Sequence, residues 1–386
     1  MDCQKHRFNL PAGVHYLNCA SRGPFSRAVE AAGIEAIGNT TSQIHHLTAT
    51  DFFEPAWEVR RLFANLIQAS DPERVALVPS VSYAMSIVAR NLPHKAGFAR
   101  GQKIILLEGE FPSDVYAWER VAAEQGLTLQ TVPMPLHHET GKVWNKTILT
   151  AIDSQTAMIV CPHVHWMYGF IFDLPAISVR AKEVGAWLIV DGTQSVGAFP
   201  FDFGKIQPDV LVCAGYKWLM GPYSLGLAYF NETFDDGIPL EETWMARQES
   251  HHFHTLTDYQ ATYRPKAYRY NVGEHSHFIQ LPILKAALEQ VLAWGPENIQ
   301  AYCRELLKDA IPVLQHAGYH LEPEPYRAHH LVGVRLPVGQ DVAGIQKMLS
   351  DNRVLVSARG QGLRVSPQVY NTPEDVEALV DALAKG

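Results

Sequence analysis

A lysine and an aspartate follow two apolar segments of this sequence, at positions where each side chain could take part in chemistry. Lys217 comes directly after "DVLVCAGY", and Asp191 ends an apolar run over residues 187–190. A carboxylate at the end of a buried strand is costly unless a cation or hydrogen bonds compensate it. A single lysine after a strand is most often a solvated loop residue. Its assignment therefore depends on the side chains at the ends of the other strands.

Other apolar segments end in groups that could bind a ligand. Ser80 and Ser82 open a helical pattern, whose free N–H groups and dipole could hold a phosphate, although an ordinary helix cap also explains them. Phe111 lies on the loop after the second segment, and "HVHWMYG" follows the third, so that His165 and Trp166 enter the same region. These side chains would add hydroxyls and flat aromatic surfaces to the lysine and the aspartate.

One ligand, pyridoxal phosphate, needs all of these groups together. Its aldehyde requires a lysine amine to form a Schiff base, and its ring nitrogen requires a carboxylate in order to stay protonated. Its flat face suits an aromatic side chain, and its phosphate suits a helix N-terminus with hydroxyls. Desolvation would lower the pKa of Lys217 and keep its amine available. The ordered set therefore predicts a pyridoxal phosphate site with Lys217 and Asp191 as catalytic residues.

The elements that must position these residues alternate along the chain. Six apolar segments are predicted strands: 74–80, 102–110, 156–164, 186–192, 209–215 and 225–230. Helical patterns lie between them, one over 113–126 with Ser113 as its cap and Gly126 at its end, another over 173–185. This alternation predicts an α/β fold with a mostly parallel sheet covered by helices on both faces. A ligand would then bind at the carboxyl ends of the strands.

The last third of the sequence has a different pattern. A helical pattern starts near Leu281, and the segments 329–337 and 353–367 alternate like strands exposed on one face. A closing helix begins with Thr372 as N-cap and Pro373 at its first position. We therefore expect a large cofactor-binding domain over residues 18–275. A smaller α+β domain would be formed by residues 1–17 and 276–386.

Composition excludes several classes of function. The 386 residues carry a net charge of -8 and no basic run, which argues against a nucleic-acid partner. No apolar stretch reaches the ~20 residues that span a bilayer, and the start lacks the apolar core of a secretory signal. The five cysteines are scattered, as in a cytoplasmic protein with reduced thiols. The 18 histidines form no recognisable metal-binding framework, so no metal is expected.

The motifs "DGTQSVG", "GYKWLMGP" and "RVSPQVYNTPED" resemble those of the class V aminotransferase family of fold-type I pyridoxal-phosphate enzymes. That family includes cysteine desulfurases, selenocysteine lyase, kynureninase and isopenicillin N epimerase-like proteins. The resemblance covers nearly the whole chain. It implies a seven-stranded, mostly parallel sheet, a homodimer whose active sites lie at the subunit boundary, and an amino acid or related amine as the small-molecule substrate.

The resemblance also implies a role for individual residues. Lys217 would form the Schiff base and carry the α-proton, Asp191 would pair with the pyridine nitrogen, and Arg364 would hold the substrate α-carboxylate. The other implied cofactor contacts are Ser80, Val81 and Ser82 at the phosphate, Phe111 on the ring, Gln194 at the phenolic oxygen or Schiff base, Tyr216 at the phosphate, and either His165 or Trp166 at the phenolic oxygen.

Two departures from the family pattern bear on the reaction. The segment before Arg364 has no cysteine, and Cys303 is far upstream, so desulfuration through an enzyme persulfide is not expected. Glu274 follows Gly273 where members present a glycine–threonine pair to the neighbouring subunit's phosphate, which leaves that contact open. An aminotransferase is the first expectation. A lyase of the kynureninase or cysteine/selenocysteine lyase type, an epimerase, and a non-enzymatic cofactor-binding protein stay open.

Overall fold

The computed structural model of the protein describes residues 1–135, 137–337 and 339–385. Within them a seven-stranded sheet has the order β2-β8-β7-β6-β5-β3-β4. Its strands are β2 (Val75–Val78), β3 (Lys103–Leu107), β4 (Thr128–Val132), β5 (Thr156–Pro162), β6 (Trp187–Asp191), β7 (Val210–Ala214) and β8 (Gly226–Phe230). Strands β4, β3, β5, β6 and β7 run parallel, and β8 is antiparallel to both of its neighbours. The mostly parallel α/β fold is thus confirmed.

Burial explains which strands the sequence reveals. The six predicted strands are continuous apolar runs, and β2, β5, β7 and β8 are buried along their whole length. The seventh, β4, was not among the predicted segments. It lies at the edge of the sheet and is only partly buried, with polar residues Thr128, Gln130 and Thr131. A strand that is only partly buried needs fewer apolar side chains, so the sequence signal of β4 is weak.

Helices cover both faces of this sheet. They are α1 (Arg27–Ser42), α2 (Ala49–Ile67), α3 (Val81–Asn91), α4 (Tyr116–Gln125), α5 (Thr140–Ala151), α6 (Leu174–Val184), α7 (Phe203–Ile206) and α8 (Gln280–Trp294). Gly126 and Gly185 end α4 and α6 with φ of 68°, a left-handed conformation that glycine adopts at low cost. Two separate apolar clusters on the opposite faces of the sheet form the core of this part.

The start of α4 differs from the prediction. Ser113 does not cap this helix: it lies inside a short 3-10 turn, Pro112–Asp114, and α4 begins only at Tyr116. Phe111 accepts a hydrogen bond from the backbone N–H of Asp114 at 2.8 Å, which closes the turn. This extra turn buries Asp114 and leaves Ser113 at the ligand cavity described below.

The C-terminal part forms a second layered unit. It contains α9 (Pro296–Leu307), α10 (Ala310–His316), β9 (Val332–Arg335), α11 (Val342–Asp351), β10 (Val354–Leu355), β11 (Ser357–Arg359), β12 (Gly362–Val365) and α12 (Pro373–Lys385). Near the N-terminus, β1 (His15–Tyr16) pairs with β10, and Leu17 belongs to the apolar cluster of this unit. The long helix α8 packs against α1 and α2. The N-terminal segment therefore joins the C-terminal unit to the large sheet.

None of the helices within the described residues combines the length and the apolar character that crossing a membrane requires.

Candidate active site

A cavity of about 310 Å³ lies at the carboxyl ends of the strands of the large sheet. Nine of the predicted site residues line it: Ser80, Val81, Ser82, Phe111, Trp166, Asp191, Gln194, Tyr216 and Lys217. These residues follow five different strands, and they meet because β2 runs in the same direction as the parallel strands. Two predicted residues, His165 and Arg364, are not part of this lining.

Lys217 lies on the turn after β7 and is only 8% exposed. Its Nζ lies 5.5 Å from the ring centroid of Phe111 and 5.7 Å from that of Tyr216. Burial, opposed by the charge of Asp191 and reinforced by that of Arg364, lowers the pKa of Lys217 to about 8. A large fraction of this amine is therefore neutral near pH 8, as a nucleophile or a proton acceptor requires.

Asp191 is the last residue of β6, flanked in register by Pro162 of β5 and Val212 of β7. Its Oδ1 accepts a hydrogen bond from the backbone N–H of Thr193 at 2.8 Å, which fixes the carboxylate at the edge of the sheet. The hydroxyl of Thr193 in turn accepts from the backbone N–H of Ala214 in β7. The carboxylate and the lysine turn are thus held by neighbouring strands.

Two further acids lie behind Asp191, and sequence reasoning missed both. Asp114 is 1% exposed, and neither of its carboxyl oxygens accepts a hydrogen bond from a donor in the described part of the chain. Burial raises its pKa well above the ordinary value, and the charges of Asp191 and Glu110 add to the rise. Burial, and then Asp191, raise the pKa of Glu110 to about 8. Asp114 therefore keeps its proton to higher pH than an ordinary aspartic acid does.

Replacing Asp114 with asparagine is expected to reduce the loss of stability that the cofactor-free protein shows as the pH rises. A carboxyl group whose pKa is raised in the folded protein binds its proton more tightly there than in the unfolded chain. Its contribution to the free energy of unfolding is therefore complete below about pH 3.9, the pKa of an unfolded aspartate, and is lost as the pH rises towards the native pKa. Asparagine cannot ionise. For each pH unit between pH 5 and the native pKa, the variant should lose up to about 1.4 kcal/mol less free energy of unfolding than the wild type, measured by urea titration between pH 5 and pH 8.

The matched control for this experiment is Glu119→Gln, which removes an exposed carboxylate from α4, close to Asp114 in sequence. Its stability should follow the wild type at both pH values. Parallel pH profiles for Asp114→Asn and the wild type would contradict the raised pKa of Asp114.

The N-terminus of α3 forms the other end of the cavity. Ser80 is the N-cap, its Oγ accepting from the backbone N–H of Tyr83 at 3.2 Å, and the hydroxyls of Ser80 and Ser82 lie 2.9 Å apart. Free backbone N–H groups, the positive end of the helix dipole and two hydroxyls together suit a phosphate group. The amine, the carboxylate, the aromatic ring and this anion site share one cavity, so the residues present fit pyridoxal phosphate.

The structure separates the two aromatic candidates after β5. The Nε1 of Trp166 donates to the Gly109 carbonyl at 2.7 Å, and its ring meets Phe111 edge to face at the cavity wall. His165 is fully buried and stacks on Tyr168 with ring centroids 5.5 Å apart. Burial lowers the pKa of His165 to about 3, so this imidazole is neutral. Trp166 faces the cavity, and His165 packs in the core beside it.

Gln194 is held by the protein on both sides of its amide. Its Oε1 accepts from Trp218 Nε1 at 2.8 Å, and its Nε2 donates to the Ala20 carbonyl at 3.2 Å. An amide nitrogen carries two donors, so one N–H of Gln194 is left for a ligand in the cavity. The sequence pattern placed this residue near the ring but did not predict its partners.

Arg364, in β12, is 2% exposed and has an unusual set of partners for a buried cation. Its guanidinium donates to the Trp166 carbonyl at 3.0 Å and to Ser21 Oγ at 2.6 Å. Its Nε has no partner in the part of the chain that the structure describes, where no carboxylate lies within 4.0 Å of it either. Burial, and then the charge of Arg359, lower the pKa of Arg364 to about 9. Arg364 is thus a desolvated cation that contacts Trp166 of the cavity wall and has no counter-ion among the described residues.

The cysteines and Glu274 bear on the departures seen in the sequence. No cysteine is among the described residues that line the cavity. Four of the five cysteines are buried, and Cys3 is partly buried. Glu274 is exposed, and the backbone N–H of Gly273 donates to a carboxylate oxygen of Glu241. No cysteine sulfur is therefore available in the described wall of the cavity to accept a group from a substrate.

Two exposed histidine groups lie outside the cavity. In each, one possible ligand atom per residue lies within 4.8 Å of the others: His137, His138 and Glu139 in one, and Glu249, His251 and His252 in the other. Their exposure leaves the ligand atoms free to turn away from one another. We assign no metal to either group.

Comparisons with known proteins cover nearly the whole chain. The sequence model of a family described as "Aminotransferase class-V" matches residues 27–379. An uncharacterized aminotransferase, YcbU, of Bacillus subtilis (strain 168) is 26% identical over 369 residues, 94% of this chain and 90% of that protein. The isopenicillin N epimerase of Amycolatopsis lactamdurans is 27% identical over 405 aligned residues, 98% of this chain and 96% of that protein. A solved structure of a C-DES mutant with glycine covalently linked to the PLP cofactor has a TM-score of 0.85, covering 99% of each chain at 18% identity.

Proposed function

Because this chain belongs to the class-V aminotransferase family, whose cofactor is pyridoxal 5'-phosphate, we propose that it transfers the α-amino group of an amino acid to a 2-oxo acid. The observation that carries this proposal is the pairing of a desolvated amine, Lys217, with a buried guanidinium, Arg364, that has no carboxylate partner among the described residues. An α-amino acid has a carboxylate next to the carbon that must lose a proton. The two side chains suit these two groups of one substrate.

In this proposal each residue has a definite task. Pyridoxal phosphate, when bound, supplies a ring that withdraws electrons from the α-carbon of the substrate. Asp191 holds the proton of the ring nitrogen, and Lys217 takes and returns the α-proton through its neutral amine. Arg364 binds the α-carboxylate through its fork of N–H donors, which fixes the orientation of the substrate.

The remaining lining residues would hold the cofactor in place. The N-terminus of α3, with Ser80, Ser82 and the backbone of Val81, would bind the phosphate. Phe111 would lie against the ring, with Tyr216 near the phosphate. The free N–H of Gln194 would reach the phenolic oxygen. We propose Trp166 rather than His165 at this end, because only Trp166 lines the cavity.

A product assay with and without an acceptor tests the reaction. The holoenzyme is incubated with single amino acids, with and without 2-oxoglutarate or pyruvate, and both products are measured by mass spectrometry. We expect equal amounts of a new amino acid and a new 2-oxo acid, formed only when the acceptor is present. Release of pyruvate or alanine without any acceptor would instead indicate a lyase, and inversion of the α-carbon an epimerase; either result overturns transamination.

We also propose that the enzyme is a homodimer. Several large apolar side chains of the surface are exposed, among them Ile34 and Ile37 on one face of α1 and Ile44 and Leu47 after it. Apolar patches of this kind commonly mark protein–protein interfaces. Sedimentation equilibrium of the holoenzyme tests the assembly, and a monomer mass at micromolar concentration contradicts it.

A further inference from the structure

Two arginines from distant parts of the chain stack on a single tyrosine. Arg60 lies in α2, and the carbon at the centre of its guanidinium is 3.8 Å from the ring centroid of Tyr268. The corresponding carbon of Arg264 is 4.0 Å from the same centroid and 5.1 Å from that of Phe53. Arg60 is 1% exposed, and Arg264 is partly buried. Two cations of like charge are thus concentrated around one aromatic ring.

The protein leaves these two cations largely without partners. Arg60 makes one side-chain hydrogen bond, from its terminal NH2 group to the Oδ1 of Asn271 at 2.8 Å, while its Nε and its other terminal nitrogen have no partner among the described residues. Within the same residues, no carboxylate oxygen lies within 4.0 Å of either guanidinium. A buried charge without a counter-ion is costly, because its desolvation is not repaid.

A cavity of about 330 Å³ adjoins the two arginines, close to the lower limit of common ligand pockets. Its wall includes His275, whose two ring nitrogens are buried and have no hydrogen-bond partner within the described ranges. Burial first, and then the charges of Arg60 and Arg264, lower the pKa of His275 to about 3. The imidazole is therefore neutral, and it lines the cavity without adding a charge.

Two glutamates also line this cavity, and both have other surroundings. Glu73 shares the ammonium group of Lys266 with Asp71, at 2.7 Å from each carboxylate. Burial lowers the pKa of both arginines, and the charge of Glu73 offsets part of this drop. Glu54 is exposed to solvent on α2. Neither carboxylate forms an ion pair with Arg60 or Arg264 among the described residues, so both guanidinium groups keep donors for a further anion.

We propose that the Arg60–Arg264 cavity binds a small oxyanion, through a carboxylate or phosphate group. A guanidinium presents parallel N–H donors that match the oxygens of either group. The cavity shares no lining residue with the cofactor cavity. It lies beside β2, where Asn271 Oδ1 accepts from both Arg60 and the backbone N–H of Leu77, three residues before Ser80. This second site is additional to the proposed transamination.

Binding of two simple oxyanions to the holoenzyme tests the proposal, because bound cofactor already fills the phosphate site of the active cavity. Sodium phosphate and sodium citrate are titrated separately at constant ionic strength set with sodium chloride. The unfolding midpoint and the heat of binding are followed. We expect saturable binding of at least one of the two anions, with a rise in midpoint at saturation. The comparison of phosphate with citrate shows which group the site prefers.

Arg264→Gln is the test variant, since Arg264 is only partly buried and Arg60 variants could fail to fold. We expect it to bind the preferred anion at least tenfold more weakly. The matched control Arg61→Gln, which removes an exposed arginine paired with Glu58 on α2, should bind like the wild type. The proposal is wrong if the wild type shows no saturable binding, or if Arg264→Gln binds as tightly as the wild type. A third result would also overturn the proposal: the wild type binds neither anion, and Arg264→Gln self-associates more weakly than the wild type. The two arginines would then be paired with groups of a second copy of the chain.

Discussion

Replacing Lys217 with alanine is expected to lower turnover by about 10³-fold or more, while the protein stays folded. The variant lacks the proposed point of covalent attachment of the cofactor. It also lacks the only buried amine in the described wall of the cavity, which would transfer the proton. The lysine lies on a turn and makes no hydrogen bond through its side chain to the described residues. Removing it should therefore cost little stability. Steady-state turnover and borohydride reduction followed by peptide mass spectrometry give the two readouts.

The matched control for this variant is Lys205→Ala, which removes an exposed lysine paired with Asp202 on α7. It should keep wild-type turnover and a reduced cofactor adduct on Lys217. Cofactor reduced onto a different lysine in the wild type would falsify the assignment of Lys217. So would a Lys217→Ala variant with near-normal turnover and a normal unfolding midpoint.

Replacing Arg364 with alanine is expected to lower kcat/KM by about 30-fold to several thousandfold, mainly through KM. This corresponds to about 2–5 kcal/mol for the loss of one partner of a desolvated charge pair. Arg364→Lys keeps the charge but loses the planar fork, so it should recover only part of the loss. An amine that lacks the carboxylate gives the sharpest measurement. The wild type should discriminate strongly between an amino acid and its decarboxylated amine, and Arg364→Ala should discriminate weakly.

Arg353→Ala is the control, because Arg353 is an exposed arginine of the same C-terminal unit. Its kinetic constants should match the wild type for both compounds. If Arg364→Ala retained full preference for the carboxylated substrate, another group would have to bind the carboxylate, and the proposed orientation of the substrate would be wrong.

Much of the candidate site could be predicted from the sequence, because the site follows a general rule of parallel sheets. Asp191 ends a buried strand. Four further residues follow buried strands within four residues: Lys217, Phe111, Trp166 and Ser80. Parallel strands bring their carboxyl ends to one edge. Strand burial is visible as continuous apolar runs, so both the strands and the residues after them could be read from local patterns. The cavity at this edge is lined by all five.

The features that were missed depend on packing between distant segments. Asp114 looks like a first-turn helix residue in sequence, and only the 3-10 turn before α4 carries it into the core beside Asp191. The stacking of Arg60 and Arg264 on Tyr268 joins α2 to a segment about 200 residues later. Each of these residues is unremarkable in its local pattern. No periodicity or spacing in one sequence reports that they meet.

The N-terminal segment fixes the position of Arg364 relative to Lys217. Leu17 and Cys19 exchange backbone hydrogen bonds with Ser366 just after β12, Ser21 accepts from Arg364, and the backbone N–H of Gly23 donates to the carbonyl of Tyr216. A Cβ at Gly23 would lie 2.2 Å from the carbonyl oxygen of Lys217, so only glycine permits this approach. Residues 17–23 thus set the distance between the guanidinium of Arg364 and the amine of Lys217, which is the distance that a substrate would span in the proposed reaction.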